Sequence, residues 1–194
     1  MKAKHKYIFI IIELSIYVCF ISMDLFSTNS TYIKYAGIVL CFVFSIINKQ
    51  RLKSLAFALT LIADYFLLVI NNYYPTGIIV FISAQLVYHV FLGNINNYKV
   101  SLFLGFLFLS IGLIVLNYTL GLNTLSVLAL VYFSNLLVNV YMSYYKNKVI
   151  FLGFVLFVFC DACVGLHNVF LTNNVLSVLM WVFYLPSQVL ISLG

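Results

Sequence analysis

The sequence contains very little charge for its length. Only 7% of its 194 residues are charged and only four are acidic, whereas 65% are hydrophobic. An ordinary globular domain carries roughly 25% charged residues. The shortage of charge therefore excludes a water-soluble domain and indicates an integral membrane protein. The ten basic residues are scattered between apolar runs and form no basic face, so they do not predict nucleic-acid binding.

The patterns of cofactor, metal and disulfide sites are also missing. The sequence has no glycine-rich phosphate loop, and its four cysteines all fall inside apolar runs. Cys160 and Cys163, in "CDAC", have the spacing of a redox or metal site, but no second pair completes a tetrahedral site. We interpret the cysteines as small packing residues. The sequence predicts no metal and no cofactor.

Eight apolar runs approach the roughly 20 residues that a helix needs to cross a ~30 Å hydrocarbon core. The predicted helices cover residues 7–23, 33–47, 54–70, 75–93, 100–116, 122–143, 149–170 and 174–193. The first run follows three lysines, as in a signal peptide, but Glu13 interrupts it and no small-residue cleavage site follows. We therefore predict an all-α, polytopic membrane bundle that forms a single transmembrane domain over residues 1–194.

The basic residues predict the orientation of these helices. With eight spans, nine of the ten fall on one side of the membrane: Lys2, Lys4, Lys6, Lys49, Arg51, Lys53, Lys99, Lys146 and Lys148. Only Lys34 falls on the other side. By the positive-inside rule, both termini of this multi-pass cell-membrane protein are expected to be cytoplasmic.

Three acids lie within the predicted spans, where an ionised side chain costs about 2.5 to 3.5 kcal/mol and usually serves a function. Asp64 and Asp161 occupy similar depths, near the midplane, in helices three and seven. We expect them to open into one cavity. Glu13 either lines this cavity or pairs locally. The fourth acid, Asp24, is expected to be solvated at the outer end of helix one.

The segments around the two aspartates resemble each other. Each segment contains a phenylalanine, an aspartate and an asparagine spaced seven residues apart. The two trios are Phe57, Asp64, Asn71 and Phe154, Asp161, Asn168. Seven residues make about two helical turns, so each trio is expected along one helix face. The next helix in each half carries a glutamine, Gln85 or Gln188. The repeat raises the hypothesis of a duplicated four-helix unit with parallel topology.

The chain resembles the YhhN-like lysoplasmalogenases through four segments in order, "ADYFLL", "FISAQLVY", "GFVLFVFCD" and "YLPSQVLI". The resemblance implies hydrolysis of the vinyl ether of lysoplasmalogens to a fatty aldehyde and a glycerophospho-head-group alcohol. The substrate would be a lysophospholipid taken from the membrane. The motif aspartates of the family correspond to Asp64 and Asp161, expected to be catalytic, and its final glutamine corresponds to Gln188.

One position departs from this family, because Gln85 stands where histidine is common. His89 lies one turn away on the same helix face and is the expected substitute, or else activity is altered. We predict that the substrate contacts polar side chains near the aspartates: Gln188, Tyr184, Gln85, His89, Tyr88 and Asn135. For Asn135 and its neighbour Asn139, a contact between helices is the favoured interpretation.

Independent of any family, two carboxyl groups in one water-poor pocket do not both ionise easily, which leaves an acid beside a base. That pair suits hydrolysis of a bond that needs a proton on one side and an activated water on the other. A proton- or cation-coupled transporter is the main alternative, because it also uses buried acids at mid-membrane. Against it, the helices of Asp64 and Asp161 lack paired glycine or proline interruptions. A polar pair that only holds helices together is the third interpretation.

Overall fold

The chain folds into a bundle of helices. The computed structural model describes residues 3–26, 28–93, 98–119, 122–170 and 174–194, and these contain no strand. The helices are α1 Ala3–Leu25, α2 Thr31–Ile47, α3 Arg51–Asp64, α4 Tyr74–Leu92, α5 Tyr98–Thr119, α6 Thr124–Lys146, α7 Lys148–Phe170 and α8 Asn174–Leu193. The predicted all-α bundle of eight helices is confirmed.

Most of these helices can cross a membrane, so the chain is a multi-pass membrane protein. Among the described residues, seven are long and apolar enough to do so, and α2 is shorter, with 17 residues. At 1.5 Å per residue α2 still spans about 26 Å. It packs against α1, α3 and α8, inside the bundle.

Short connections make consecutive helices antiparallel, as in other helical bundles. The beginning of α3 and the end of α6 therefore lie at one end of the bundle, together with Lys53 and Lys146. We call this the basic end. Asp24 and Lys34, at the end of α1 and the beginning of α2, lie at the opposite end.

The largest interface joins α7 to α8 and depends on a glycine. A Cβ atom added to Gly153 on α7 would lie 3.0 Å from the carbonyl oxygen of Ser187 and 2.8 Å from a side-chain carbon of Ile191, both on α8. Only glycine therefore permits this close approach of the two backbones. By contrast, α5 packs mainly on α6 and exposes most of its apolar side chains, as expected of a lipid-facing helix.

A π-helical segment, Tyr65–Ile70, directly follows Asp64 and ends at Asn71, which has a left-handed backbone with φ of 52°. The wider π turn changes the direction of later side chains. The expectation that Asn71 shares the face of Phe57 and Asp64 is therefore wrong, because Asn71 instead accepts a 2.9 Å hydrogen bond from the Tyr74 hydroxyl. The side chain of Asn168, its counterpart in the second trio, lies outside the described residues.

The pairs of helices that contact each other are those expected if the bundle consists of two equivalent four-helix units. The fourth helix of the first half, α4, packs on the second helix of the other half, α6, and the equivalent α8 packs on α2. The repeated phenylalanines follow the same pattern. Phe57 and Phe154 are both fully buried and both contact the ring of Tyr88 edge to face, with centroids 6.0 and 5.4 Å away.

Candidate active site

Asp64 is held by a tyrosine from the far end of the chain. It is the last residue of α3, and its Oδ2 accepts a 2.6 Å hydrogen bond from the hydroxyl of Tyr184 on α8. Both side chains are buried, with Asp64 only 5% exposed. A carboxyl group placed this deeply needs such a donor, because burial without a hydrogen bond is costly.

Asp161 has a tyrosine partner of its own. In the middle of α7, its Oδ2 accepts a 2.7 Å hydrogen bond from the hydroxyl of Tyr132 on α6. Unlike Asp64, Asp161 is partly exposed. The two acids therefore have the same kind of partner but differ in their accessibility.

Two phenylalanines connect the acid–tyrosine pairs. The ring of Phe81 on α4 lies 5.5 Å from that of Tyr132 and 6.2 Å from that of Phe157, and Phe157 lies 5.4 Å from Tyr184. The carboxyl groups of Asp64 and Asp161 are close enough to interact electrostatically. The structure thus brings both predicted catalytic residues and Tyr184 around one aromatic pair.

Tyr88 lies on the side of Asp64 that faces the basic end. Its hydroxyl neighbours that of Thr60, which is one turn before Asp64 on α3. Neither hydroxyl has a hydrogen-bond partner of good geometry among the described residues, although both are buried. These two groups are available to a bound polar molecule, since buried hydroxyls are normally satisfied.

Gln85 and His89 meet at Asn139 of α6. The Asn139 amide nitrogen donates to the backbone oxygen of Gln85 at 2.9 Å and to its Oε1 at 2.8 Å, and His89 lies against the Asn139 side chain. Within the described chain, Gln85 Nε2 and Asn139 Oδ1 are buried without a partner. The sequence hypothesis that His89 stands near Gln85 is thus compatible with the geometry.

The asparagine at this position is not the one that the sequence proposed. Asn135 donates a 2.8 Å hydrogen bond to the carbonyl oxygen of Val131 in its own helix, and its contact with the substrate stays a prediction. Asn139, four residues or about one turn further along α6, is the asparagine that contacts Gln85. That spacing was the available signal for Asn139.

Gln188 is fully buried one turn from Tyr184 on α8. Its amide nitrogen is 3.4 Å from the hydroxyl of Ser187, and its Oε1 has no partner within the described part of the chain. Like Gln85, it offers an unpaired buried amide group. Such a group costs free energy unless a ligand or water completes it.

A groove of about 390 Å³ lies elsewhere, between α5 and α6. Apolar side chains such as Phe108 and Leu130 line it, and none of the predicted site residues does. We assign it to the lipid-facing surface, because it offers almost no polar group.

The other two acids have local partners. Glu13 is buried, and its Oε1 accepts a 3.5 Å contact from the thiol of Cys41, while its Oε2 has no partner among the described residues. The expectation that Asp24 is solvated is wrong. Its side chain is only 12% exposed and forms a 2.8 Å ion pair with Lys34, which explains how the outer end tolerates its one basic residue.

A sequence model described as the YhhN family matches residues 29–194 of the chain. That range includes α2 to α8 and therefore every side chain of the candidate site. No curated protein and no solved structure matches the chain.

Proposed function

Because the chain belongs to the YhhN family, we propose that it is a membrane-embedded hydrolase that cleaves the vinyl ether bond of lysoplasmalogens. The products are a fatty aldehyde and a glycerophospho-head-group alcohol. One observation carries the proposal: Asp64 and Asp161, each held by a tyrosine, flank the same pair of phenylalanine rings. This arrangement puts two candidate proton-transfer groups beside apolar aromatic side chains.

Vinyl ether hydrolysis needs both kinds of group. An acid adds a proton to the alkene carbon that is remote from oxygen, which leaves an oxocarbenium cation. Water then adds to the cationic carbon while a base removes its proton, much as paired carboxyl groups act in glycoside hydrolysis. The resulting hemiacetal collapses to the aldehyde and the glycerol hydroxyl, so one water is consumed.

We assign the two roles from the difference in exposure. Asp64 is buried beside Tyr184 and neighbouring rings, and we assign it as the acid that delivers the proton. Asp161 is partly exposed, and we assign it as the base that accepts a proton from water. The tyrosines orient the carboxyl groups.

The aromatic pair between the acids contributes electrostatically. The faces of Phe81 and Phe157 carry partial negative charge and attract a nearby cation. An oxocarbenium ion formed between Asp64 and Asp161 meets these rings and the carboxylate. The same rings accept the apolar alkenyl chain of the substrate.

One structural feature favours the alternative, a proton- or cation-coupled carrier. The π-helical segment after Asp64 interrupts α3 within the membrane, and such segments often occur at functional sites. Transporters of the discontinuous-helix type show interruptions in corresponding positions of both repeats. However, α7 continues as a regular α-helix past Asp161.

The deciding experiment gives the purified protein a lysoplasmalogen in heavy water, without added metal, and traps the aldehyde promptly. We expect release of aldehyde that carries one deuterium on the carbon next to the carbonyl, because the acid protonates carbon. Prompt trapping is needed because enolisation adds label without the enzyme. Absence of aldehyde across several head groups, together with acid-dependent solute flux in liposomes, would reject the hydrolase in favour of the carrier.

A further inference from the structure

Lys53 is a buried cation at the basic end of the bundle. Its side chain is 0% exposed, although lysine in a membrane helix usually extends its ammonium group to water. Its Nζ donates to the carbonyl oxygen of Ser192 on α8 at 3.3 Å and lies 5.3 Å from the centroid of the Phe91 ring. An ammonium group has three donors, so one long hydrogen bond leaves most of its capacity unused.

A second cation shares the same ring. Lys146, at the end of α6, donates a 2.9 Å hydrogen bond to the carbonyl oxygen of Phe91, and its Nζ lies 4.7 Å from the ring centroid. The two ammonium groups thus lie within about 10 Å of each other. Lys146 is exposed, so a ligand can approach the pair from its side.

The protein supplies no acid to balance these charges. All four acidic residues are described, and none forms an ion pair with Lys53 or Lys146: Glu13 contacts Cys41 through Oε1 while its Oε2 has no partner among the described residues, Asp24 pairs with Lys34, Asp64 with Tyr184 and Asp161 with Tyr132. Buried charges in proteins are normally paired, because an isolated one is expensive. The pair of lysines therefore has the charge and the free donors of an anion site.

We propose that Lys53 and Lys146 bind the phosphate group of a single-chain phospholipid that enters from the leaflet at the basic end. The proposal deepens the proposed function, on which it rests, by assigning the head-group subsite of the same active site. A phosphate offers several acceptor oxygens, and lysine binds it as a point charge.

One face of α3 runs from this subsite to Asp64. Lys53, Phe57, Thr60 and Asp64 follow at intervals of four, three and four residues, so they share that face. Residues of α8 contact the two ends of this face. The Ser192 carbonyl oxygen contacts Lys53, and the Tyr184 hydroxyl contacts Asp64.

The length of this face suits a lysophospholipid. The eleven-residue separation of Lys53 and Asp64 corresponds to about 16 Å along the helix. Seven covalent bonds of about 1.5 Å each separate phosphorus from the alkene carbon that Asp64 protonates. With a hydrogen bond of about 2.8 Å added at each end, the extended segment from phosphorus to this carbon comes close to the rise between Lys53 and Asp64. The buried polar atoms of Thr60 and Gln188 lie between the ends and suit the free glycerol hydroxyl.

The test uses ligands that cannot be hydrolysed. A 1-O-alkylglycerol 3-phosphate and the matching 1-O-alkylglycerol differ only in the phosphate, and neither contains a vinyl ether. Binding to the full chain in nanodiscs of neutral lipid is followed by fluorescence of Trp181, the one tryptophan, which lies 5.3 Å from Tyr184. We expect the wild type to prefer the phosphate ligand by about ten-fold or more, as charge-assisted hydrogen bonds predict.

Lys53→Met should reduce this preference to near unity, and Lys146→Met should reduce it in part. Lys148→Met is the matched control, because Lys148 is exposed at the same end and contacts neither Phe91 nor Ser192. If Lys53→Met protein does not fold because Lys53 is buried, Lys146→Met still tests the proposal, since Lys146 is exposed. An undiminished phosphate preference in folded Lys146→Met protein would overturn the proposal.

Two further outcomes separate the ligand source and the proposed function. Displacement of the bound ligand by inorganic phosphate at equal concentration would overturn the assignment to a lipid. If the wild type prefers the phosphate ligand but releases no aldehyde from a lysoplasmalogen, the phosphate subsite is retained and the hydrolase is rejected. Aldehyde release with no phosphate preference in the wild type rejects only the subsite.

Discussion

Tyr184 and Asp64 are 120 positions apart in the chain, yet a 2.6 Å hydrogen bond joins them across the interior of the bundle. The bond connects α8 to the point at which α3 changes into a π-helix. Asp161 repeats the arrangement with Tyr132. The predictions below test whether these two pairs perform chemistry or only hold helices together.

Replacing either acid by its amide should abolish aldehyde release. In Asp64→Asn and Asp161→Asn, the side-chain oxygen still accepts from tyrosine, but an amide neither supplies a proton nor accepts one from water. Both variants should fold, because the substitution removes buried acidity rather than adding charge. Aldehyde assays and thermal melts check this. Asp24→Asn, which alters the outer ion pair with Lys34, is the control and should retain activity. Full release from folded Asp64→Asn or Asp161→Asn protein contradicts the mechanism.

The tyrosine hydroxyls should matter for rate more than for substrate affinity. Tyr184→Phe and Tyr132→Phe each remove a hydrogen bond to a carboxyl group, and we expect kcat to fall by about ten- to a hundred-fold. Tyr17→Phe is the matched control, because the Tyr17 hydroxyl contacts α8 only through the carbonyl oxygen of Val182, at 3.4 Å. Steady-state kinetics measure kcat and KM separately. An equal loss in all three variants would point to a packing role.

Gln85 should tolerate histidine but not leucine. A histidine ring nitrogen can accept from Asn139 as Gln85 Oε1 does, and it can also transfer a proton at neutral pH. We therefore expect at least wild-type aldehyde release from Gln85→His. Gln85→Leu leaves buried polar groups unpaired, and we expect a loss of about ten-fold. Wild-type kinetics for Gln85→Leu would remove this position from the site.

The α7–α8 interface gives a stability test that is independent of function. Gly153→Ala forces a Cβ atom against the Ser187 carbonyl and Ile191, and we expect a loss of about 1 to 3 kcal/mol, the usual cost of overpacking. Gly165→Ala lies on the same helix with nothing within 4 Å of its Cβ and should be neutral or slightly stabilising. Denaturant or thermal unfolding in detergent compares them. Equal stability of the two variants would show that α7 and α8 separate at little cost.

The positions of the helices follow from the sequence with little ambiguity. Apolar length is a local property, so the eight predicted runs agree with α1 to α8 to within a few residues at most ends. The depths of Asp64 and Asp161 follow in the same way, from counting residues along a helix of fixed rise.

Local reasoning failed where the helix changed its geometry or where a partner lay far along the chain. The π-helical segment moved Asn71 away from the face of Asp64, and no residue between them is a glycine or proline. The sequence proposed Asn135 as the site residue of α6, whereas Asn139 is the asparagine that contacts Gln85 on α4. Asp24 was expected in water because its ion-pair partner, Lys34, belongs to another helix.

The sequence by itself determined a bundle of membrane helices with two acids inside the apolar segments, because hydrophobic length and helical rise act within single segments. The tertiary structure alone decided which side chains those acids meet. Tyr184, Tyr132, Phe81 and Phe157 converge from four different helices, and the buried position of Lys53 also depends on its contact with α8. These contacts depend on the rotation and spacing of helices that are distant in sequence, and no local pattern specifies either quantity.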